Sequence, residues 1–231
     1  MKANRLVLLA VAGVSVLSLA TGCAPAGDVA VKVGDASVAK SDVEFLTRLQ
    51  CDGIAKAAQD PAQGGQAQKY PLQLVRGSMV TLLAETEVDK QLVARDNIAA
   101  DPSLIKTQMS QYDGMFALAP KADQRRYRQM FEAYFTARYQ LLQLAVKELA
   151  KQGVVQPVEQ QVQATAIDLR DKYFKSIKVE VDPAYGVKSD LSGALADSSL
   201  SIPRSVFAKQ SVAEQPDQGF VDALPAKQRC G

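Results

Sequence analysis

Three thiols, a few carboxylates and a set of methionines and aromatics are the residues of this 231-residue chain whose types can do chemistry or bind. The thiols are Cys23, Cys51 and Cys230. Histidine is absent, which removes Ser-His-Asp and Cys-His nucleophilic chemistry and the commonest transition-metal ligand. Glu85, Glu87 and Asp89 can in principle move protons, but nothing in the sequence pairs them across a cleft. Their expected setting is a wet helix face. Gly64-Gly65 lacks the following lysine and the preceding strand of a phosphate loop. No motif asks for a metal, a nucleotide or a redox group, so no cofactor is expected.

The setting of Cys23 gives its thiol a specific fate. Lys2 and Arg5 form a short positive region, residues 6–20 are apolar without a charge, and Ala20-Thr21-Gly22-Cys23 follows. That is the layout of an export signal over residues 1–22. The apolar run is shorter than the ~20 residues needed for a permanent membrane span. The segment resembles the bacterial lipobox, in which the cysteine thiol receives diacylglycerol before cleavage. Here Ala20 stands where leucine is preferred, and Leu19 lies one residue early. The resemblance implies lipidation at Cys23 and a folded part held on the extracytoplasmic face of the cell membrane; a soluble secreted product or an uncleaved anchor are the other readings. Residues 23–28, with Pro25 and Gly27, read as a tether.

Removing the leader leaves about 209 residues, and because Lys2 and Arg5 leave with it, the 27 basic and 25 acidic residues become 25 of each. A near-zero net charge gives no reason to expect a nucleic-acid partner. With Cys23 assigned to lipid, Cys51 and Cys230 remain as an even pair in an oxidising compartment, so a disulfide between them is a candidate; the alternative is two free thiols.

Periodicity supplies the elements that must position these groups. Val29 to Val33 alternates, Gly34-Asp35 can turn the chain, and Ser37-Val38-Ala39 returns, which predicts a β-hairpin. Ser41 or Asp42 then caps a helix carrying Val43, Phe45, Leu46, Leu49 and Ile54. Residues 59–70 read as a loop. A long amphipathic helix follows from Pro71, with Leu72, Val75, Met79, Leu82, Leu83, Thr86 and Val93 on one stripe. Asp101-Pro102 starts another, through Leu104, Ile105, Met109, Tyr112, Met115 and Phe116, weakened in its second half by Gly114. The helix over residues 122–152 ends at Gly153. Another runs from Pro157 to about Lys175 with Val158, Val162, Ile167, Leu169 and Tyr173 inward. Ile177, Val179 and Val181 then alternate as a strand whose natural partner is the hairpin. The expected fold is mainly α with a small β-sheet over residues 29–187, followed by a mostly irregular tail at 188–231, except near residues 202–207.

The stretch from Val29-Ala-Val-Lys-Val-Gly-Asp-Ala-Ser-Val through Ser41-Asp-Val-Glu-Phe-Leu46 resembles the opening of the SurA and PrsA chaperone N-terminal domains. Val179-Glu-Val-Asp-Pro-Ala-Tyr-Gly186, followed by Leu200-Ser-Ile-Pro203, is similar to the closing strand and tail of shorter SurA-like lipoproteins. Where that family often has Asn-Gly in the turn, this chain has Gly34-Asp35. The resemblance implies a helical domain sealed by a small sheet that holds unfolded or exported polypeptides and is not an enzyme. A parvulin isomerase domain has no room here, and its histidines have no counterpart.

Met109, Tyr112, Met115, Phe116, Met130 and Phe131 are the candidate client-binding residues, since thioethers and rings suit a surface that accepts varied apolar segments. The same positions form the stripe that a helical core must bury, which is the plainer reading. Lys121, Arg125, Arg126 and Arg128 read as a solvated helix face, with anionic lipid as the other possibility. The alternative functions are an envelope lipoprotein that scaffolds one specific protein partner and, second, an unfamiliar enzyme that uses carboxylates and tyrosines.

Overall fold

Strand β1 (Val29–Val33) and strand β2 (Ala36–Ala39) form the hairpin, with Gly34 at φ +55° supplying the left-handed turn position. A computed structural model describes residues 27–57, 59, 68–191, 210, 213 and 216–231. The leader 1–22, Cys23, the first part of the tether, most of the loop at 59–70 and the segment 200–207 lie outside the described residues.

From β2 the chain runs directly into α1 (Lys40–Ala57), then through the two-residue strand β3 (Tyr70–Pro71) into α2 (Leu72–Ala94). α3 (Pro102–Ser110), α4 (Asp113–Leu118), α5 (Lys121–Lys151) and α6 (Glu159–Phe174) follow. Strand β4 (Val179–Val181) comes next, and α7 (Gln218–Ala223) and β5 (Arg229–Cys230) end the chain. The protein is therefore mainly helical, with a small antiparallel sheet of order β2-β1-β4 and a second two-stranded ribbon, β3 with β5. β4 joins the hairpin as its alternation predicts, Val31 opposite Val181 and Val33 opposite Val179.

Local chemistry sets the helix ends. Asp101 caps α3, its carboxylate accepting from the Ser103 N–H at 2.8 Å with Pro102 in the first turn. Gly153 at φ +85° ends α5, and the next amide, Val154 N–H, donates back to the Leu149 carbonyl at 3.0 Å. Gln161 reaches back to accept from the Val158 N–H at 3.1 Å at the start of α6.

Three expectations change. The helix proposed from Pro102 through Phe116 is two, broken at Gln111-Tyr112 so that α4 can turn Phe116 into the core. On α6, Val158 is 61% and Ile167 49% exposed, while Ala166 is buried. Tyr173 is buried as expected and Val162 and Leu169 pack against the α5–α6 cluster, while Ala166 and Arg170 join Tyr173 at the i, i+4, i+7 spacing of the inward side. The last part of the tail is not irregular: α7 and β5 pack back on the domain, with Val221, Leu224 and Cys230 buried. Cys230 is bonded to Cys51 of α1, Cα to Cα 4.7 Å, across 179 residues of chain.

α2 is the central element, touching α1, α5, α6 and the sheet. Its faces serve three apolar clusters. One joins the sheet to α2 through Val31, Val33, Val43, Val80, Ala84 and Val88. A second, rich in rings, lies among α1, α4 and α5, and a third joins α5 to α6 through Leu141, Leu144, Ala145 and Ala166. Each fully buried aliphatic or aromatic side chain contributes about 1.5–3 kcal/mol.

Asp182, just after β4, closes the sheet onto α1. The Lys40 ammonium at 2.6 Å and the Ala184 N–H at 2.9 Å hold its carboxyl below the ordinary value of 3.8. As acid is added the unfolded chain takes up this proton first, so the stabilisation is fully present above about pH 3.8 and is lost as pH falls through the lower folded value. Asp182→Asn is expected to flatten the acid limb of a thermal-midpoint curve measured between pH 6 and pH 2. An acid limb as steep as that of the unaltered protein would remove Asp182 as a contributor.

Candidate functional site: an apolar cleft beside a ring cluster

Leu49, Gly53 and Ala57 recur every four residues and so share one face of α1. Gly53 and Ala57 are too small to fill the space opposite α4, and a Cβ added at Gly53 would meet nothing within 4 Å. What results is a cleft of about 250 Å³ between α1, α4 and the start of α5. Leu49, Ala119 and Tyr127 form its buried floor, and burial pushes the Tyr127 phenol above its ordinary value. Leu118 forms its lip at 42% exposure, with Met115 and Ile54 on the walls. The Lys56 ammonium donates to the Leu118 carbonyl. The volume is below the ~300–1,000 Å³ of typical small-molecule sites. It suits one or two apolar side chains.

The six residues singled out from the sequence, Met109, Tyr112, Met115, Phe116, Met130 and Phe131, all lie in the ring cluster behind this cleft. Phe116 is at 0% exposure and is core, whereas the other five are half-buried against it. Phe116, Tyr127 and Phe131 form a mutual edge-to-face triad with centroids 5.2, 5.7 and 5.0 Å apart. Such pairs contribute about 0.5–1.5 kcal/mol each beyond their burial. Met115 is the one member of the six that lines the cleft.

The basic run is only partly a solvated face. Arg126 lies 4.2 Å from the Phe45 ring centre while pairing with Asp42 at 2.5 Å, and Arg128 lies 4.7 Å from that of Phe116 while pairing with Asp113 at 2.6 Å. Arg48 pairs with Asp123 at 2.9 Å and also reaches the Phe45 ring. These guanidiniums screen the ring cluster from water while their charges stay solvated. The cleft is a place where apolar surface is reachable from solvent next to the rings.

Acidic residues expected on a wet face behave differently. Glu87 pairs with Lys90 at the surface, but Asp89 is 2% exposed and held by both arms of Arg170 at 2.6 Å. Glu85, one turn earlier, reaches the same guanidinium at 3.3 Å. Burial raises the Asp89 carboxyl above its ordinary value against the opposing pull of Arg170. Desolvation works against the Arg170 charge, yet Asp89 and Glu85 together hold its pKa above normal. Two carboxylates sharing one guanidinium fork make a joint between α2 and α6.

Sequence reading missed the cleft and this joint. The i, i+4, i+8 recurrence of Leu49, Gly53 and Ala57 was the available sign of the first. Glu85 and Asp89 four apart on the α2 stripe were the sign of the second. Cys51 and Cys230 are joined as proposed, and Cys23 lies outside the described residues. Comparison with protein families, with curated proteins and with solved structures finds no match for this chain.

Proposed function

We propose that this is a lipid-anchored, extracytoplasmic protein of the SurA N-terminal-domain type that holds unfolded or exported polypeptides without catalysis. The observation that carries the reading is the apolar cleft with its exposed lip, Leu118, and its flexible wall, Met115, set against a rigid ring cluster. A thioether wall adapts to side chains of different shape, as a binder of many sequences requires. Support also comes from the pairing of β4 with the hairpin, the arrangement on which the resemblance rests.

Gly53→Leu tests the cleft, because the added side chain enters open space from within α1. It is expected to fold normally by circular dichroism and to lose most of the protein's suppression of aggregation of unrelated denatured proteins. Full suppression by Gly53→Leu would end the assignment of the cleft. No suppression by the unaltered protein, with one protein recovered from the envelope by cross-linking, would favour a dedicated scaffold. The anchor is tested separately: Cys23→Ser is expected to move the protein from the membrane to the soluble fraction, and an unchanged membrane fraction would refute lipidation.

A further inference from the structure

Among the described residues, the sheet has an open side. β1 is flanked by β2 and β4, so β4 is an edge, and among the described residues no strand pairs with its outer side. The antiparallel register fixes which backbone groups face outward. Lys178 C=O accepts from Gly34 N–H at 2.8 Å and Asp182 N–H donates to Ala30 C=O at 2.8 Å, with Glu180 opposite Lys32 between them. Residues 178, 180 and 182 therefore point their main-chain groups at β1, and by alternation Val179 and Val181 point theirs away from it. Their side chains lie on the core face, opposite the buried Val33 and Val31.

Beside this edge lies a second cleft of about 500 Å³, distinct from the one between α1 and α4. Phe174 at the end of α6, Ile177 and Val179 give it apolar walls, and Lys175, Lys178, Asp171 and Asp190 give it a rim of mixed charge. The opposite edge is built differently, since β2 runs without a break into α1 at Lys40.

We infer that the β4 edge binds an extended polypeptide segment by strand addition, its main chain pairing with Val179 and Val181 and one apolar side chain entering the Phe174–Ile177 cleft. The chemistry of the edge selects this occupant. Outward N–H and C=O groups repeating every second residue are matched along their length only by another extended main chain. An adjacent pocket then reads alternate side chains, and the mixed rim imposes no net charge on the guest. The inference rests on the polypeptide-binding reading and gives it a second point of contact, one that recognises backbone rather than composition.

The test uses the full chain and a fluorescein-labelled nine-residue peptide in which valine alternates with serine and lysine. Two further peptides carry N-methyl groups on the valine nitrogens or on the intervening nitrogens. Binding is followed by fluorescence anisotropy. Strand addition predicts that one parity of methylation weakens binding by about tenfold or more, through two lost hydrogen bonds, while the other parity is tolerated. Equal effects of the two parities would overturn the inference.

Val179→Pro removes one outward N–H at a position where an edge strand accepts proline, and is expected to weaken the peptide to a similar degree. Hydrogen exchange gives a readout that needs no variant: the Val179 and Val181 amides should slow on adding the unmethylated peptide, and unchanged exchange at saturation would also refute the inference. Reduced, carboxymethylated lactalbumin, a permanently unfolded chain, separates the two proposals. If it binds and Gly53→Leu abolishes that binding while the peptide does not bind at all, strand addition fails and the cleft reading stands. If the peptide binds with the predicted parity and lactalbumin binding ignores Gly53→Leu, the edge stands and the cleft fails.

Discussion

A chain carrying Cys51→Ser and Cys230→Ser is expected to lose up to about 5 kcal/mol of stability relative to the oxidised protein. The basis is chain length: the bond joins residues 179 apart, and the entropy of closing so long a loop in the unfolded ensemble is near the top of the range for single disulfides. The loss should be seen in urea unfolding, and adding reductant to the unaltered protein should reproduce it. The rest of the tail's attachment depends on few groups. Beyond the bond, the last residues are held by the two-residue β3–β5 ribbon, by burial of Val221 and Leu224, and by the exposed Lys69–Asp222 pair at 2.9 Å. Exposed pairs of this kind contribute little. Reduction should therefore open residues 216–231 to protease before the helical domain unfolds. A reduced protein with an unchanged unfolding midpoint and an uncut tail would refute this account of the bond.

Arg170→Ala is expected to destabilise by about 3–5 kcal/mol, the range seen when one partner of a buried ion pair is removed. The cost arises from Asp89, left 2% exposed with neither of the two 2.6 Å contacts that neutralise it. For a chain of this size the thermal midpoint should drop by roughly 10 °C. Two further measurements separate this cause from lost packing. Without Arg170 the folded Asp89 carboxyl titrates far above its unfolded value, so the deficit is full at neutral pH and shrinks as pH falls through the folded value. Asp89→Leu combined with Arg170→Met should recover most of the loss, because a matched apolar pair carries no desolvation cost. A deficit independent of pH, or a double variant as unstable as Arg170→Ala, would show that charge is not the issue.

Legibility in the sequence followed the range of the interactions. Helix limits set by local chemistry, such as the Asp101-Pro102 start and the Gly153 stop, were readable because caps act within one turn. β4 was readable from the alternation of Ile177, Val179 and Val181, and its partner from the marginal stability of a lone hairpin. The inward face of α6 was read correctly at Val162, Leu169 and Tyr173 and misread at Val158 and Ile167, because it also holds an arginine. Periodicity ranks Val158 and Ile167 as buried and Arg170 as wet, whereas the buried Asp89 on α2 reverses the order. The break between α3 and α4 was half visible in Gly114, but where the chain turns is decided by Phe116 entering the ring cluster, a tertiary choice. The cleft was hidden for a similar reason. Gly53 reads only as a weak helix former and Ala57 as a strong one, and neither reveals the open space that lies between them and α4.

The central place of β1 also sets a timetable. Val31 and Val33, near the beginning of the chain, are finished only when Val179 and Val181 arrive, about 150 residues later. At ordinary rates of synthesis that interval is roughly ten to thirty seconds. Throughout it one side of the hairpin stays open, exposing the backbone that the last strand will cover. A chain that makes the middle strand of its sheet long before one of the edge strands must itself be kept from stray pairing until that strand emerges, so its folding rate should be slow for a helical protein of its size.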